Sequence, residues 1–298
     1  VPSLAAVAQR HEVTATVCQP DRPKGRGKKV IAPPVKQWAL EHGITVHQPT
    51  KLNDGAFEGW LREQAPDVCA IAAYGRILKQ PIIDVPPQGF INMHPSLLPK
   101  YRGPSPIQSA ILNGERMTGI SIMKLVLDMD AGPIILQEEA PIRENETAVE
   151  LTERLAERGG VMLAEGVAMI EDGTATFTPQ DDRRATYCGM LSKEDGYIDW
   201  TAPAAAIHNL VRGAQPWPMA QCRFRGEVCK VHMGRPIGTH PPSEPGVVVA
   251  VEKDAVHVAT GDGAYAITKF QPPGKRPMDM GAYLLGQPVE PGEWFEAV

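Results

Sequence analysis

Gly89-Phe90-Ile91-Asn92-Met93-His94-Pro95-Ser96-Leu97-Leu98-Pro99 is an apolar run that breaks into a proline-bounded loop. Residues 90–93 read as a short buried strand, and Pro95 bars its regular continuation. Strand residues two apart face the same side, so Asn92 and His94 project together where the strand ends. Open α/β sheets hold their ligands at the carboxyl ends of strands. Further along, Leu127-Asp128-Met129-Asp130-Ala131-Gly132 supplies carboxylates. A carboxamide, an imidazole and a carboxylate can stabilise an oxyanion, move a proton and orient the proton carrier. No Ser or Cys nucleophile is needed if the substrate brings its own amine.

Around this stretch helices and strands alternate. Residues 2–10 have helical spacing and 13–17 read as a strand. Residues 33–42 form a helix ended by Gly43, and Asn53 is placed to N-cap a helix running to Gln64. Residues 67–73 are an apolar strand followed by Tyr74-Gly75, and residues 105–113 a helix stopped by Gly114. Such alternation predicts a parallel sheet with helices on both faces. Residues 120–125 and 133–140 are strands with no helix between them, and 147–171 is one long helix containing Gly159-Gly160. After Pro179 the pattern changes. One helix starts at Pro203, then five short strands follow at 220–224, 228–233, 246–251, 255–259 and 265–270. Five short strands separated by turn signals suggest a small barrel. The division expected is a domain at 1–180, a polar linker at 181–192 and a second domain at 193–298.

Composition narrows the class. The 298 residues are 43% hydrophobic and 22% charged, as in a globular chain. No apolar run approaches the ~18 residues of a membrane span, and no signal peptide is visible. The five cysteines are scattered without a Cys-x-x-Cys, which disfavours structural zinc and a disulfide framework and fits a reducing cytosol. A net charge of −5 argues against a protein that coats nucleic acid. Any nucleic-acid contact must be local, and one patch stands out: Arg22, Lys24, Arg26, Lys28 and Lys29. Pro23, Gly25 and Gly27 interrupt it, so a cationic loop without regular helix or strand is expected. Such a loop neutralises phosphates and gains affinity from counterion release.

Asn92-x-His94-Pro95-Ser96-Leu97-Leu98-Pro99, with Asp130-Ala131-Gly132 downstream, resembles the folate-dependent formyltransferase/hydrolase family. Its members move a formyl group from 10-formyltetrahydrofolate to an amine, or hydrolyse it. Further segments narrow the resemblance to the branch whose acceptor is methionyl initiator tRNA: residues 20–29, Arg102-Gly103-Pro104-Ser105-Pro106-Ile107-Gln108, Pro216-Trp217-Pro218-Met219 and Ala259-Thr260-Gly261-Asp262-Gly263. The resemblance covers essentially the whole chain.

It implies an α/β fold, with a Rossmann-like formyltransferase domain on a parallel-rich sheet followed by a small OB-like β-barrel domain. Asn92 would donate to the oxyanion, His94 would carry charge and proton, and Asp130 would pair with His94, with Asp128 its nearest competitor. Tyr74, Gly75, Ile77, Ser96, Leu97, Leu98 and Pro99 would border the folate. Arg22, Lys24, Arg26, Lys28 and Lys29 would contact tRNA, with Arg212, Trp217 and Lys269 as further possible contacts. The co-substrate would be 10-formyltetrahydrofolate, with no metal and no membrane. The protein would be a monomer of the bacterial cytosol or an organelle matrix. The family opens with a strand and a Gly-Thr-Pro turn ahead of a helix like Val1-Pro2-Ser3-Leu4, so roughly 10–20 further N-terminal residues are expected.

Three other readings use the same residues. Water in place of the amine gives a formyltetrahydrofolate hydrolase. A different amine gives a purine-pathway or sugar-nucleotide formyltransferase. The cationic loop and the barrel argue against both. A non-catalytic RNA-binding protein is the third, and the intact Asn/His/Asp set argues against it.

Overall fold

The computed structural model describes residues 1–24, 29–238 and 243–298, without the side chains of Lys24 and Lys29. Two compact units emerge. The first comprises Val1–Pro104, Thr118–Ala140 and Glu153–Cys188, and the second Ser105–Met117, Pro141–Thr152 and Gly189–Val298.

In chain order the elements up to the site are α1 (Pro2–Ala8), β1 (Ala15–Val17), β2 (Arg22–Lys24), β3 (Lys29–Ile31), α2 (Pro34–Glu41), β4 (Thr45–His47), α3 (Ala56–Gln64), β5 (Cys69–Ala72), α4 (Gln80–Ile83) and β6 (Phe90–His94). Next come α5 (Pro106–Leu112), β7 (Met117–Lys124), β8 (Ile134–Pro141) and α6 (Ala148–Glu171). The main sheet of the first unit has the order β5-β6-β7-β8. It is mixed rather than parallel-rich: β5 and β6 run parallel, whereas β7 runs antiparallel to β6, with Asn92 opposite Met123 and His94 opposite Ser121. Parallel pairing needs a crossover that returns the chain to its starting end, and β7 enters from the opposite end. A second parallel pair, β1 with β4, stands apart from this sheet. A groove of about 1050 Å³ lies between β1 and β5, lined among others by Thr16, Val17, Ile71 and Leu163.

Local chemistry explains most boundaries. At the start of α6, Glu150 Oε2 accepts from both the backbone and the hydroxyl of Thr147, and Thr147 Oγ1 accepts from Glu150 N. That reciprocal box satisfies donors the helix itself cannot. The glycines inside α6 let it approach closely: a Cβ on Gly159 would lie 3.0 Å from Met93 Cγ, and one on Gly166 3.0 Å from Ile122 Cγ2. Two expectations are corrected. Asn53 does not cap α3; Gly55 holds the N-cap position at φ 80°, and Asp54 Oδ1 accepts the Ala56 N–H instead. The cationic segment is partly regular, since β2 pairs antiparallel with β3 through Arg22↔Ile31, Pro23↔Val30 and Lys24↔Lys29. A two-stranded hairpin tolerates proline because each strand has a free edge needing no N–H.

The second unit contains α7 (Ala204–Gly213), β9 (Ala220–Phe224), β10 (Glu227–Ile237), β11 (Val248–Val251), β12 (Val256–Ala259), β13 (Ala264–Gln271), β14 (Met278–Asp279), α8 (Met280–Gly286) and β15 (Phe295–Glu296). Its antiparallel sheet has the order β11-β12-β13-β10-β9-β15, with β14 beside β13. The ends of that order meet: Val248 N donates to Glu293 O and Phe295 N to Gly246 O, each at 2.7 Å. Ile207, Val211, Val231, Val256, Tyr265, Phe270 and Phe295 pack as one core inside it.

Candidate active site

Parallel pairing of β5 and β6 puts two chain exits at one end of the sheet: Ala73-Tyr74-Gly75 after β5 and Pro95-Ser96 after His94, the last residue of β6. The period of two places Asn92 and His94 on one side of β6. The Asn92 carboxamide makes no hydrogen bond among the described residues, whereas His94 is buried with 4% of its surface exposed. His94 Nδ1 lies 3.6 Å from Asp130 Oδ2, and its Nε2 lies 2.9 Å from the Tyr101 carbonyl oxygen. Each ring nitrogen therefore faces an oxygen acceptor. Nδ1 faces the carboxylate that orients the ring, and Nε2, now on the Tyr101 carbonyl, is the nitrogen left for proton exchange.

Asp130 sits in the loop joining β7 and β8. Its Oδ2 accepts the Gly103 N–H at 2.8 Å. Its backbone is left-handed at φ 50°, a conformation costing a non-glycine residue roughly 1–2 kcal/mol. Aspartate is among the residues that local hydrogen bonds bring into this region. Asp128 is exposed, and its carbonyl accepts the Ala131 N–H at 3.2 Å. The carboxylate beside His94 is that of Asp130.

The loop after β6 is braced from below. Ser96 Oγ donates to Lys100 O and Ser121 Oγ to Ser96 O, both at 2.7 Å. Gln137 Nε2 donates to Leu98 O and to Ser121 Oγ. Ser96 and Leu98 are buried, and Leu97 lies so close to Gly119 that a Cβ there would fall 2.3 Å from Leu97 Cδ2. These residues shape the loop, and the Ser96 hydroxyl is turned inward. Pro99 follows at the loop's half-buried turn. Of the other folate candidates, Tyr74 keeps a buried hydroxyl without a hydrogen-bond partner, Gly75 occupies φ 70° and Ile77 is 89% exposed. Gly75 and Ile77 line a cleft of about 690 Å³ with Thr50, Leu52 and Asp54. Asn92, His94 and Asp130 line neither that cleft nor the groove beside β5.

Of the cationic residues, Arg22 is exposed and donates to Gln19 Oε1 at 3.2 Å. The base of the hairpin is anchored by Asp21, which accepts from Lys36 Nζ at 2.8 Å and from Gln48 Nε2 at 2.7 Å. Those hydrogen bonds, from Lys36 first and then Gln48, hold the Asp21 carboxyl below its ordinary value. Lys24 and Lys29 take part in the hairpin backbone, while Arg26 and Lys28 lie outside the described residues. In the second unit Arg212 is buried, donating to Asn209 Oδ1 and to Glu146 O, so it presents no cation to a partner. Trp217 and Lys269 are exposed.

The residues that sequence reading misses lie at 178–188. This segment runs along the loop carrying Tyr101 to Gly103. Arg102 N donates to Thr186 O, Cys188 N to Arg102 O and Thr186 N to Pro99 O. Thr178 exchanges both backbone bonds with Ile134. Gly103 fits only as glycine: its φ is 121°, and a Cβ would lie 2.1 Å from Cys188 O. The buried Arg102 guanidinium donates to Gln180 Oε1, Asp182 Oδ1 and the Tyr187 hydroxyl. Burial by itself lowers the Arg102 pKa, but the bonds to Asp182 and Tyr187 outweigh it and raise the group above its ordinary value. Gln180 Nε2 in turn donates to Asp130 O and Gly132 O. The polar run at 181–184 reads as a linker, and no sequence spacing signals pairing across some eighty residues.

Residues 3–167 match the formyl transferase family, and residues 190–288 match the formyl transferase C-terminal domain. A methionyl-tRNA formyltransferase of Agathobacter rectalis is 42% identical over 296 residues, covering 99% of this chain and 96% of that protein. One from Moorella thermoacetica is 44% identical over 294 residues, covering 98% and 94%. Among solved structures, an N-formyltransferase from Helicobacter canadensis in complex with folinic acid and dTDP-3-aminofucose superimposes with a TM-score of 0.66 at 19% identity, covering 91% of this chain and 94% of that one. At that identity the likeness speaks for the fold alone.

Proposed function

Because this chain belongs to the methionyl-tRNA formyltransferase family, we propose that Asn92, His94 and Asp130 carry out its reaction at the end of β6. The enzyme transfers the formyl group of 10-formyltetrahydrofolate to the α-amine of methionyl initiator tRNA, the step that prepares this tRNA for starting protein synthesis. The observation that carries the site assignment is the meeting of His94 with Asp130, 3.6 Å apart, beside an uncommitted Asn92 carboxamide.

The chemistry follows from the three groups. The neutral α-amine attacks the formyl carbon, and the carbonyl electrons move onto oxygen. Asn92 donates its amide N–H to that oxyanion, whose charge is larger than in the substrate, so the bond strengthens towards the transition state. With Nδ1 toward Asp130, His94 takes the proton the amine loses on Nε2, which exchanges the Tyr101 carbonyl for the substrate, and delivers it to the folate nitrogen as the carbon–nitrogen bond breaks. Asp130 balances the charge on the ring and fixes its plane. The products are formylmethionyl-tRNA and tetrahydrofolate. The turn at Tyr74 and Gly75 offers backbone groups to the pterin at the same end of the sheet, while Ile77, Leu97 and Pro99 supply apolar border.

Arg22, Lys24, Arg26, Lys28 and Lys29 are assigned to the phosphates of the tRNA. The second domain, residues 193–298, is assigned an OB-like barrel that serves as a tRNA platform. Its antiparallel order with bonded ends supports that reading. Residues 1–180 are assigned to the catalytic domain, and 182–188, within the 181–192 stretch read as a linker, pack against its Arg102 loop. All three reacting groups come from one unit, which supports a monomer. No helix among the described residues is long and apolar enough to cross a membrane. The enzyme is assigned to the cytosol or an organelle matrix because its acceptor is a tRNA. The test is formyl transfer by the wild type and by His94→Ala. Loss of transfer with folate binding retained supports the assignment, and near-normal turnover overturns it.

A further inference from the structure

We propose that Gln180 is the positioning residue of this site, holding Asp130 against His94; the proposal rests on the assignment of those two residues above. The Gln180 carboxamide is fully committed. Its two N–H bonds go to Asp130 O at 2.8 Å and Gly132 O at 2.7 Å. Its oxygen accepts from Arg102 Nε at 3.0 Å and Arg102 Nη2 at 2.8 Å. A carboxamide offers two donors and two acceptor sites, and here every one is used.

The consequences lie on both sides of the reacting pair. On one side, Gln180 grips the backbone at Asp130 and Gly132, where the chain is left-handed at Asp130, a conformation that local hydrogen bonds stabilise for aspartate. On the other, it orients Arg102, whose neighbour Gly103 gives its N–H to Asp130 Oδ2. The same side chain thus fixes the Asp130 backbone and the loop that grips the Asp130 carboxylate. Thr178, two residues away, is tied to Ile134 at the start of β8, so the anchor is rigid. Arg102 is held independently by Asp182 and by the Tyr187 hydroxyl. Removal of Gln180 therefore frees the Asp130 turn before it frees Arg102.

Chemistry singles out glutamine. Glutamate at this position has the same length and keeps an acceptor for Arg102, but turns an oxygen toward two carbonyl oxygens where an amide donated. The turn is then repelled instead of held. Alanine removes both sets of bonds.

The test uses Gln180→Glu and Gln180→Ala in the full chain, with kcat and KM for 10-formyltetrahydrofolate and methionyl-tRNA. His94 ring resonances are followed by NMR in protein carrying isotope-labelled histidine. Misplacing a reacting group by about 1 Å costs up to roughly 10²-fold. The expected result is a fall in kcat of about 10- to 10²-fold, with KM for both substrates little changed and His94 resonances displaced toward those of Asp130→Asn. Unchanged kcat and unmoved His94 resonances in Gln180→Glu overturn the proposal, as does a loss confined to KM. If Gln180→Ala fails to fold, Gln180→Glu decides alone. A wild type without formyl transfer, but with displaced His94 resonances in Gln180→Glu, overturns the reaction assignment and leaves the positioning role standing.

Discussion

The backbone N–H of Gly103 donates to Asp130 Oδ2 at 2.8 Å, and the same oxygen faces His94 Nδ1 at 3.6 Å. A backbone donor is fixed by the chain, so the carboxylate has one orientation toward the imidazole. Gly103 can supply it because glycine tolerates φ 121° with Cys188 O where a Cβ would sit. Gly103→Ala should therefore lower kcat by about 10²-fold and cost roughly 1–3 kcal/mol of stability from strain. Thermal melts and steady-state kinetics check both. Wild-type turnover in this variant would mean that the Gly103 bond does not matter to the chemistry.

The three reacting groups should act as a unit. Single alanine replacements of His94 and Asp130 should each lower turnover by roughly 10²–10⁴-fold, and Asn92→Ala by about 10²–10³-fold. The His94→Ala/Asp130→Ala double variant should be little worse than His94→Ala, since Asp130 acts through His94. Multiplicative losses in single-turnover kinetics would separate the two residues.

The cationic hairpin should govern tRNA affinity alone. Replacing Arg26, Lys28 and Lys29 with alanine should weaken methionyl-tRNA binding and flatten its salt dependence, the log–log slope falling by roughly 2–3 for three lost phosphate contacts. Folate binding, read by titration, should be unchanged. An equal loss of folate affinity would place this segment at the folate pocket.

Burial holds the pKa of His208 below its ordinary value of 6.5, helped by Arg212, against the Glu144 carbonyl's opposite effect. Its ring nitrogens approach the Tyr265 hydroxyl and Glu144 O. The unfolded chain takes up this proton as pH falls through about 6.5, while the folded chain resists until lower pH. Stability from this group is thus complete above about pH 6.5 and declines below it. Melting temperature should drop between about pH 7 and pH 5, and less steeply in His208→Gln. Identical slopes in the two proteins would show that His208 carries none of the acid sensitivity.

Local patterns in the sequence announced much of this structure. The apolar run ending at Asn92 and His94 predicts a strand with two polar groups on one side, and β6 provides it. The spacing around residues 147–171 predicts α6, where glycines prove to be contact points against Met93 and Ile122. The misses are of two kinds. Pro23 and the glycines near it predict no regular structure, yet β2 and β3 pair, since a two-stranded hairpin tolerates proline. Gln180 and Thr186 were invisible because their partners are distant in the chain: a polar stretch reads as a linker until Arg102 and Asp130 are brought beside it. The antiparallel turn of β7 against β6 was likewise beyond periodicity, which reports burial but not direction.

The most direct test is acceptor dependence: formyl release from 10-formyltetrahydrofolate measured with methionyl initiator tRNA, with free methionine and with water alone. The geometry at Asn92, His94 and Asp130, joined to the cationic hairpin, predicts rapid formylation of the tRNA-bound amine, little transfer to free methionine and almost none to water. His94→Ala should abolish the first without releasing the folate. Equal release in all three reactions, or release with water that His94→Ala leaves untouched, would contradict a formyl transferase built on these residues.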